Sequence, residues 1–190
     1  AVGAHGKGDD AGYCRVWKWG GASWAQRGEA IHGKFPGEYS GYATALNADG
    51  SILAVGGIEK YADGDRPGHA RVFEWSDAAN AWRQRGADLV GDADEDRRYG
   101  DPPYFGSSVA LSDDGATLAV GAEWSHAGGY KSGQVQVFAW YGGPDYVPRG
   151  QSIAEQSLDY AGHAVALSAD GLVVATGAHM NDAWWSTDRP

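Results

Sequence analysis

GYATALNADGSILAVGG (residues 41–57), GSSVALSDDGATLAVGA (106–122) and GHAVALSADGLVVATGA (162–178) align without a gap. Self-similarity of this kind marks a repeat architecture. Two further elements recur in step. One is CRVWKW from Cys14, ARVFEW from Ala70 and VQVFAW from Val135; the other is WAQRG from Trp24, WRQRG from Trp82 and YVPRG from Tyr146. The first element is spaced by 65 and then 56 residues, the second by 56 and then 65. The unit is therefore about 60 residues long, with one variable loop.

Each element reads as β. In SVALSDDGATLAV the pair Asp114–Gly115 separates two apolar runs, which is a hairpin signal. Val109, Leu111, Leu118 and Val120 are apolar at period two around it. Val72, Phe73 and Trp75, like Val137, Phe138 and Trp140, are large strand formers. WRQRG follows after a short polar turn. One unit is thus four strands, and four antiparallel strands at this period form a β-propeller blade. The small residues Ala110, Ala119, Gly121 and Ala122 are expected beside the crowded channel, and Trp19, Trp75 and Trp140 in the core.

The expected class is all-β: about three four-stranded antiparallel blades of a partial propeller. AVGA (1–4) and ATGA (175–178) both align with the end of the second strand. That gives a partial blade over 1–39, blades over 40–104 and 105–160, and a partial blade over 161–190. Propellers close with four to eight blades. The rest of the ring is expected from a longer polypeptide or from copies of this chain.

Composition narrows the class of function. The 190 residues fit one domain. Gly 30, Trp 9 and Tyr 10 favour strands and tight turns over helices. A hydrophobic content of 43 % supports a packed core. The net charge of −10 and the lack of a basic stripe make nucleic acid a poor partner. No apolar run is long enough to span a membrane. The opening AVGAHGKGDD has neither the basic nor the apolar region of a signal peptide. The lone Cys14 excludes an internal disulfide and a cysteine-based metal site.

FGSSVALSDDGATLAVGA (105–122) resembles the FG-GAP repeat, the unit of integrin-α-type β-propellers. Phe105–Gly106 and Gly121–Ala122 match the two ends of that motif, and WRQRGADL before it and GQVQVFAW after it match a longer form. In the other copies Ser40 and Ala161 replace the Phe. The resemblance implies an adhesive or scaffolding propeller, at the cell surface or outside the cell, without catalysis. It also raises calcium, because many such repeats carry D-x-D-x-D-G between the first two strands. Here Asp49, Asp114 and Asp170 remain, but Leu53, Leu118 and Val174 stand where a later carboxylate is required. One carboxylate per loop is too few for an ion that takes six to eight oxygens. An Asp-Gly turn is the expected reading.

Few residues stand out as candidate sites. Asp92, Asp94 and Asp96 have the opening spacing of a calcium loop, although Arg97 takes the place of the glycine that should follow. A solvated, self-repelling loop is the better reading, with calcium or a partner contact second. Trp124, Trp184 and Trp185 lie outside the repeated strands and suit contact with a protein partner or a glycan, against simple packing. The histidines (5, 32, 69, 126, 163 and 179) form no H-x-x-x-H or H-E pair, so no zinc site is expected. Arg27, Arg85 and Arg149 recur at one blade position and read as structural hydrogen-bonders.

The functional expectation is a non-catalytic protein-interaction or scaffolding module. Its partners are other proteins or further blades of the same polypeptide, and calcium is the one cofactor weighed. The alternative is a lectin-like propeller that binds glycans, assembled from copies. A propeller hydrolase or lyase would need inward carboxylates on strands ATAL, SVAL and AVAL, which carry none.

Overall fold

Residues 1–59, 67–92 and 102–179 are described by the computed structural model, and they hold seventeen short strands and no helix. β1 (Val2–Gly3) and β2 (Tyr13–Arg15) begin the first sheet; β3 (Trp17–Trp19) and β4 (Trp24–Gln26) form a ribbon beside it, and β5 (Ile31–His32) pairs with β2. The second sheet holds β6 (Ala43–Leu46), β7 (Ile52–Gly57), β8 (His69–Ser76), β9 (Ala81–Gln84) and β10 (Leu89–Val90). The third holds β11 (Phe105–Leu111), β12 (Thr117–Ala122), β13 (Gln134–Ala139), β14 (Val147–Pro148) and β15 (Ile153–Ala154). β16 (Ala161–Leu167) and β17 (Val174–Ala178) form the fourth. Every strand pairs antiparallel with its neighbours. This is the sheet order of a β-propeller blade.

The outer strand WRQRG is present as β9, and a further short strand, β10, follows it. Both β9 and β10 pair with β8, at opposite ends. Arg85 extends the ladder by donating its N–H to the Val72 carbonyl at 2.8 Å; Gly86, at φ 85°, then turns the chain away. Arg27 and Arg149 make the equivalent bonds to Val16 and Val137. The break is thus a repeated bulge at the Arg-Gly pair.

Strand alternation sends side chains to two different neighbours. Leu53, Val55 and Phe73 of the second sheet pack with Cys14 and Val16 of the first. Ile52, Ala54, Ala70 and Val72 pack on the other face, with Phe105, Leu118, Val120, Ala122 and Phe138 of the third. The core therefore lies between sheets. Phe105 is fully buried and meets Phe138 edge-on at 6.2 Å.

Close backbone approach sets the spacing of these sheets. A Cβ added to Gly121 would overlap the carbonyl oxygen of Gly162 in the next sheet, and one added to Gly56 would overlap that of Gly106. Gly106 also has φ 92°, a conformation L side chains avoid. Its neighbour Tyr104 is left-handed too, as are Tyr39 and Tyr160 at the matching positions. The result is a shared turn: Tyr42, Ser107 and His163 donate their N–H groups to the carbonyls of Tyr39, Tyr104 and Tyr160.

Where the third sheet uses Phe105, the second carries Ser40, and a polar cluster occupies that interface. Arg71 Nη2 donates to Ser40 Oγ at 2.8 Å and to Glu38 Oε1, all three residues being buried. His69 Nδ1 lies 2.9 Å from Glu59 Oε1, and its Nε2 lies 3.1 Å from Glu38 Oε1. Burial pushes the Glu38 carboxyl up, but the His69 bond and the Arg71 charge outweigh it and hold Glu38 below its ordinary value. Burial likewise pushes His69 down, and the bonds to Glu38 and Glu59 reverse this to a net rise.

At the opposite end of the strands, arginines cross from one sheet to the next. The Arg27 guanidinium sits 4.6 Å from the Trp75 ring and donates to the Gly50 carbonyl at 2.6 Å; Arg85 sits 4.3 Å from Trp140. Trp75 and Trp140 are half-buried under these cations, and Trp140 also packs against the core. Trp19 departs further from the expectation and is 51 % exposed.

Two outcomes follow from these interfaces. Gly121→Val, by overpacking, and Gly106→Val, by overpacking at a backbone geometry that L side chains avoid, should each lower stability by about 3–5 kcal/mol; urea unfolding measures it, and a neutral variant would refute the blade alignment. The buried cluster should give a bell-shaped dependence of stability on pH. The raised His69 contributes fully below about 6.5, its ordinary value, and its contribution is lost as pH rises through its folded value. The lowered Glu38 contributes above about 4.5 and is lost as pH falls through its folded value. His69→Gln, which copies Gln134 of the third sheet, should remove the alkaline arm of the thermal-stability profile.

Candidate interaction face

The antiparallel register places one row of residues, Phe105, Ala122, Gln134 and Ala154, at one end of the third sheet. The loops that leave that row, and their counterparts in the other sheets, share this end. The Asp-Gly turns lie at the other.

Those turns use their carboxylates internally. Asp114 Oδ1 accepts from Ser112 Oγ at 2.6 Å and from the Ala116 N–H at 2.8 Å, and Asp170 does the same with Ser168 and Leu172. Asp49 accepts from the Ser51 N–H. The hydroxyl and backbone donors hold all three acids below the ordinary carboxylate value. Each is an Asx turn closed by a left-handed glycine.

The loop end carries the recognition chemistry. Between β12 and β13 the chain makes a compact loop from Glu123 to Gly133. Ser132 Oγ accepts from the Gly128 N–H, His126 Nδ1 accepts from the Lys131 N–H, and the Gly133 N–H bonds the Ser125 carbonyl. Three further bonds tie it to the next sheet, from Leu158, Tyr160 and Ala161 to the carbonyls of Tyr130, Lys131 and Ser132. On this frame Trp124 stacks on Tyr104 at 4.5 Å, and Lys131 Nζ sits 4.0 Å above the Trp124 ring. Tyr130 is 40 % exposed and stacks on His126 at 5.3 Å. The patch is aromatic and cationic on a chain of net charge −10.

A second group lies at the same end. Glu123, 7 % exposed, places Oε2 2.6 Å from His163 Nδ1, and the His163 and His179 rings are 4.2 Å apart. Tyr160 packs on His179 at 5.3 Å. In the first sheet His5 lies against Tyr42 at 5.1 Å and Tyr39 at 6.1 Å. The Tyr42 hydroxyl is raised above its ordinary value by burial and then by the Glu123 charge.

Of the sequence candidates, Trp124 is half-buried in the aromatic patch and Asp92 is exposed just after β10. Asp94, Asp96, Trp184 and Trp185 lie outside the described residues. Three features escaped the sequence reading: the recurring Tyr39, Tyr104 and Tyr160, the Lys131 contact, and the Glu123–His163–His179 group. The tyrosines repeat at the same 65 and 56 spacing as the motif and stand two residues before its glycine, so an alignment begun earlier finds them.

Residues 94–138 match the family model of the FG-GAP repeat. The match falls on the copy that keeps Phe105–Gly106 and ends at Phe138 in β13. The comparison with curated proteins gives no significant match.

Trp124→Ala should leave the β-sheet circular dichroism intact and cost about 1–2 kcal/mol, the worth of its stacking on Tyr104 and Lys131. A collapse of the fold in thermal unfolding would make Trp124 a structural residue and remove it from the face.

Proposed function

We propose that this chain, which carries an FG-GAP repeat within β-propeller sheets, is a non-catalytic interaction module that meets a protein partner through its loop end. The carrying observation is the Trp124–Tyr104–Lys131–Tyr130 patch, held on a loop whose backbone is bonded to two sheets. A rigid aromatic group beside a cation suits an acidic or aromatic partner surface at small entropic cost. Further blades of the same polypeptide are the second class of partner.

The setting that accords with this reading is the cell surface or the outside of the cell. Cys14 is compatible with it: burial pushes its thiol up to about 11, so little reactive thiolate forms in an oxidising medium. The reading requires no cofactor, and Asp92, Asp94 and Asp96 mark where calcium would act on partner binding. A glycan-binding reading has less support. Repeated sugar sites need equivalent aromatic groups, and the Trp124 position is Glu59 in the second sheet.

A photo-crosslinking residue at Tyr130, with a control at Asn80 on the opposite end, tests the proposal against surface proteins of the native cells. Discrete protein adducts from Tyr130, absent from Asn80 and lost with Trp124→Ala, are expected. Equal labelling from both ends would refute the loop face, and selective binding on a glycan array would replace a protein partner by a sugar.

A further inference from the structure

We infer that Glu123, His163 and His179 form a binding site for a divalent transition metal of the zinc class, which clips the third sheet to the fourth. The inference rests on the placement of the three side chains and is independent of the partner assigned to the loop end.

The repeat itself assembles the group. Glu123 and His179 occupy the same repeat position, one residue past β12 and β17. Adjacent sheets therefore present them side by side. His163 lies at the register shift between Ala161 and Ala164, where the β-bulge re-aims a side chain. It points back across the interface to Glu123. One ligand atom from each of the three lies within 4.8 Å of the other two. Zinc bonds to nitrogen and oxygen of about 2.0–2.1 Å place tetrahedral ligands roughly 3.3 Å apart. The 2.6 Å Glu123–His163 pair must open slightly and the wider separations must close, both by side-chain movement.

The donor set decides the metal. Two imidazoles and one carboxylate suit Zn²⁺, Ni²⁺ or Cu²⁺, whereas Ca²⁺ and Mg²⁺ take oxygen ligands in larger numbers. Three protein ligands leave a fourth position for water. The site is reachable, because the His163 side chain is 53 % exposed and His179 is exposed. Tyr160 against His179 orients the ring from outside the ligand set. At the matching positions the other described interfaces do not carry this set. The pair matching Glu123 and His163 is Ile58 with Ser107 at one interface, and His5 with Tyr42 at the other.

The test is calorimetric titration of the chelator-treated 190-residue chain with ZnCl₂, beside CaCl₂ and MgCl₂. One Zn²⁺ per chain should bind, with a rise in unfolding temperature and no response to Ca²⁺ or Mg²⁺. His179→Ala and His163→Ala, both exposed positions, should fold and weaken zinc at least about tenfold; Glu123→Gln should do the same. CoCl₂ should give the visible bands of four-coordinate cobalt, lost in His179→Ala. Zinc binding unchanged in both histidine variants would place the ion elsewhere and overturn the assignment, as would no zinc binding by the parent chain.

Discussion

Backbone-to-backbone contact between successive sheets is the constraint on which the rest of this structure depends. Gly3 meets Gly41, Gly56 meets Gly106, and Gly121 meets Gly162. In each case the second-strand glycine of one sheet lies against the motif glycine of the next. A side chain on either partner would hold the sheets apart. The apolar faces of Leu53 and Val55, or of Leu118 and Val120, then could not close over their neighbours. Hydrophobic burial supplies the driving force, at about 25 cal/mol per Å², but the glycines determine how near the faces come. Gly106 and Gly121 stand at the two ends of the FG-GAP motif because they serve successive interfaces of one sheet.

Given that spacing, the space at the motif's first position can be filled in more than one way. Phe105 fills it with apolar volume between the second and third sheets. Between the first and second, Ser40 leaves room for Arg71, and Arg71 imports Glu38, with His69 and Glu59 beside it. A buried charge cluster of this type adds little stability over an apolar filling, and its value is greatest when every charge is paired. The consequence is two interfaces of similar geometry with different responses to pH.

How much of this was legible depends on whether the signal ran along the chain or across it. The strands, the Asp-Gly turns and the recurring Arg27, Arg85 and Arg149 are local patterns, and the structure shows all of them. The outer strand WRQRG is legible and is β9, whereas β10, resumed after the left-handed Gly86, is only Leu89–Val90 and carries no repeat signal of its own. Trp19, Trp75 and Trp140 recur at one strand position, which predicts core, yet Trp75 and Trp140 lie under an arginine from the preceding sheet and Trp19 is exposed. An H-x-x-x-H or H-E pair lies within one segment. Glu123, His163 and His179 come from three segments in two sheets, where only a register argument joins them.

The same register sets where variation is tolerated. The left-handed tyrosine and the motif glycine fix the backbone, and the residue after the glycine, at the bulge, is delivered to the loop end. It is Tyr42 in the second sheet, Ser107 in the third and His163 in the fourth. None of the three is needed for close approach, so the position is open to polar, aromatic or ligating chemistry. The residue one past the second strand behaves alike: Ile58, Glu123 and His179 occupy it. A propeller repeat thus pairs each rigid glycine contact with two variable positions that meet across the same interface. Chemistry can change there, sheet by sheet, while the contacts that hold the sheets together remain the same.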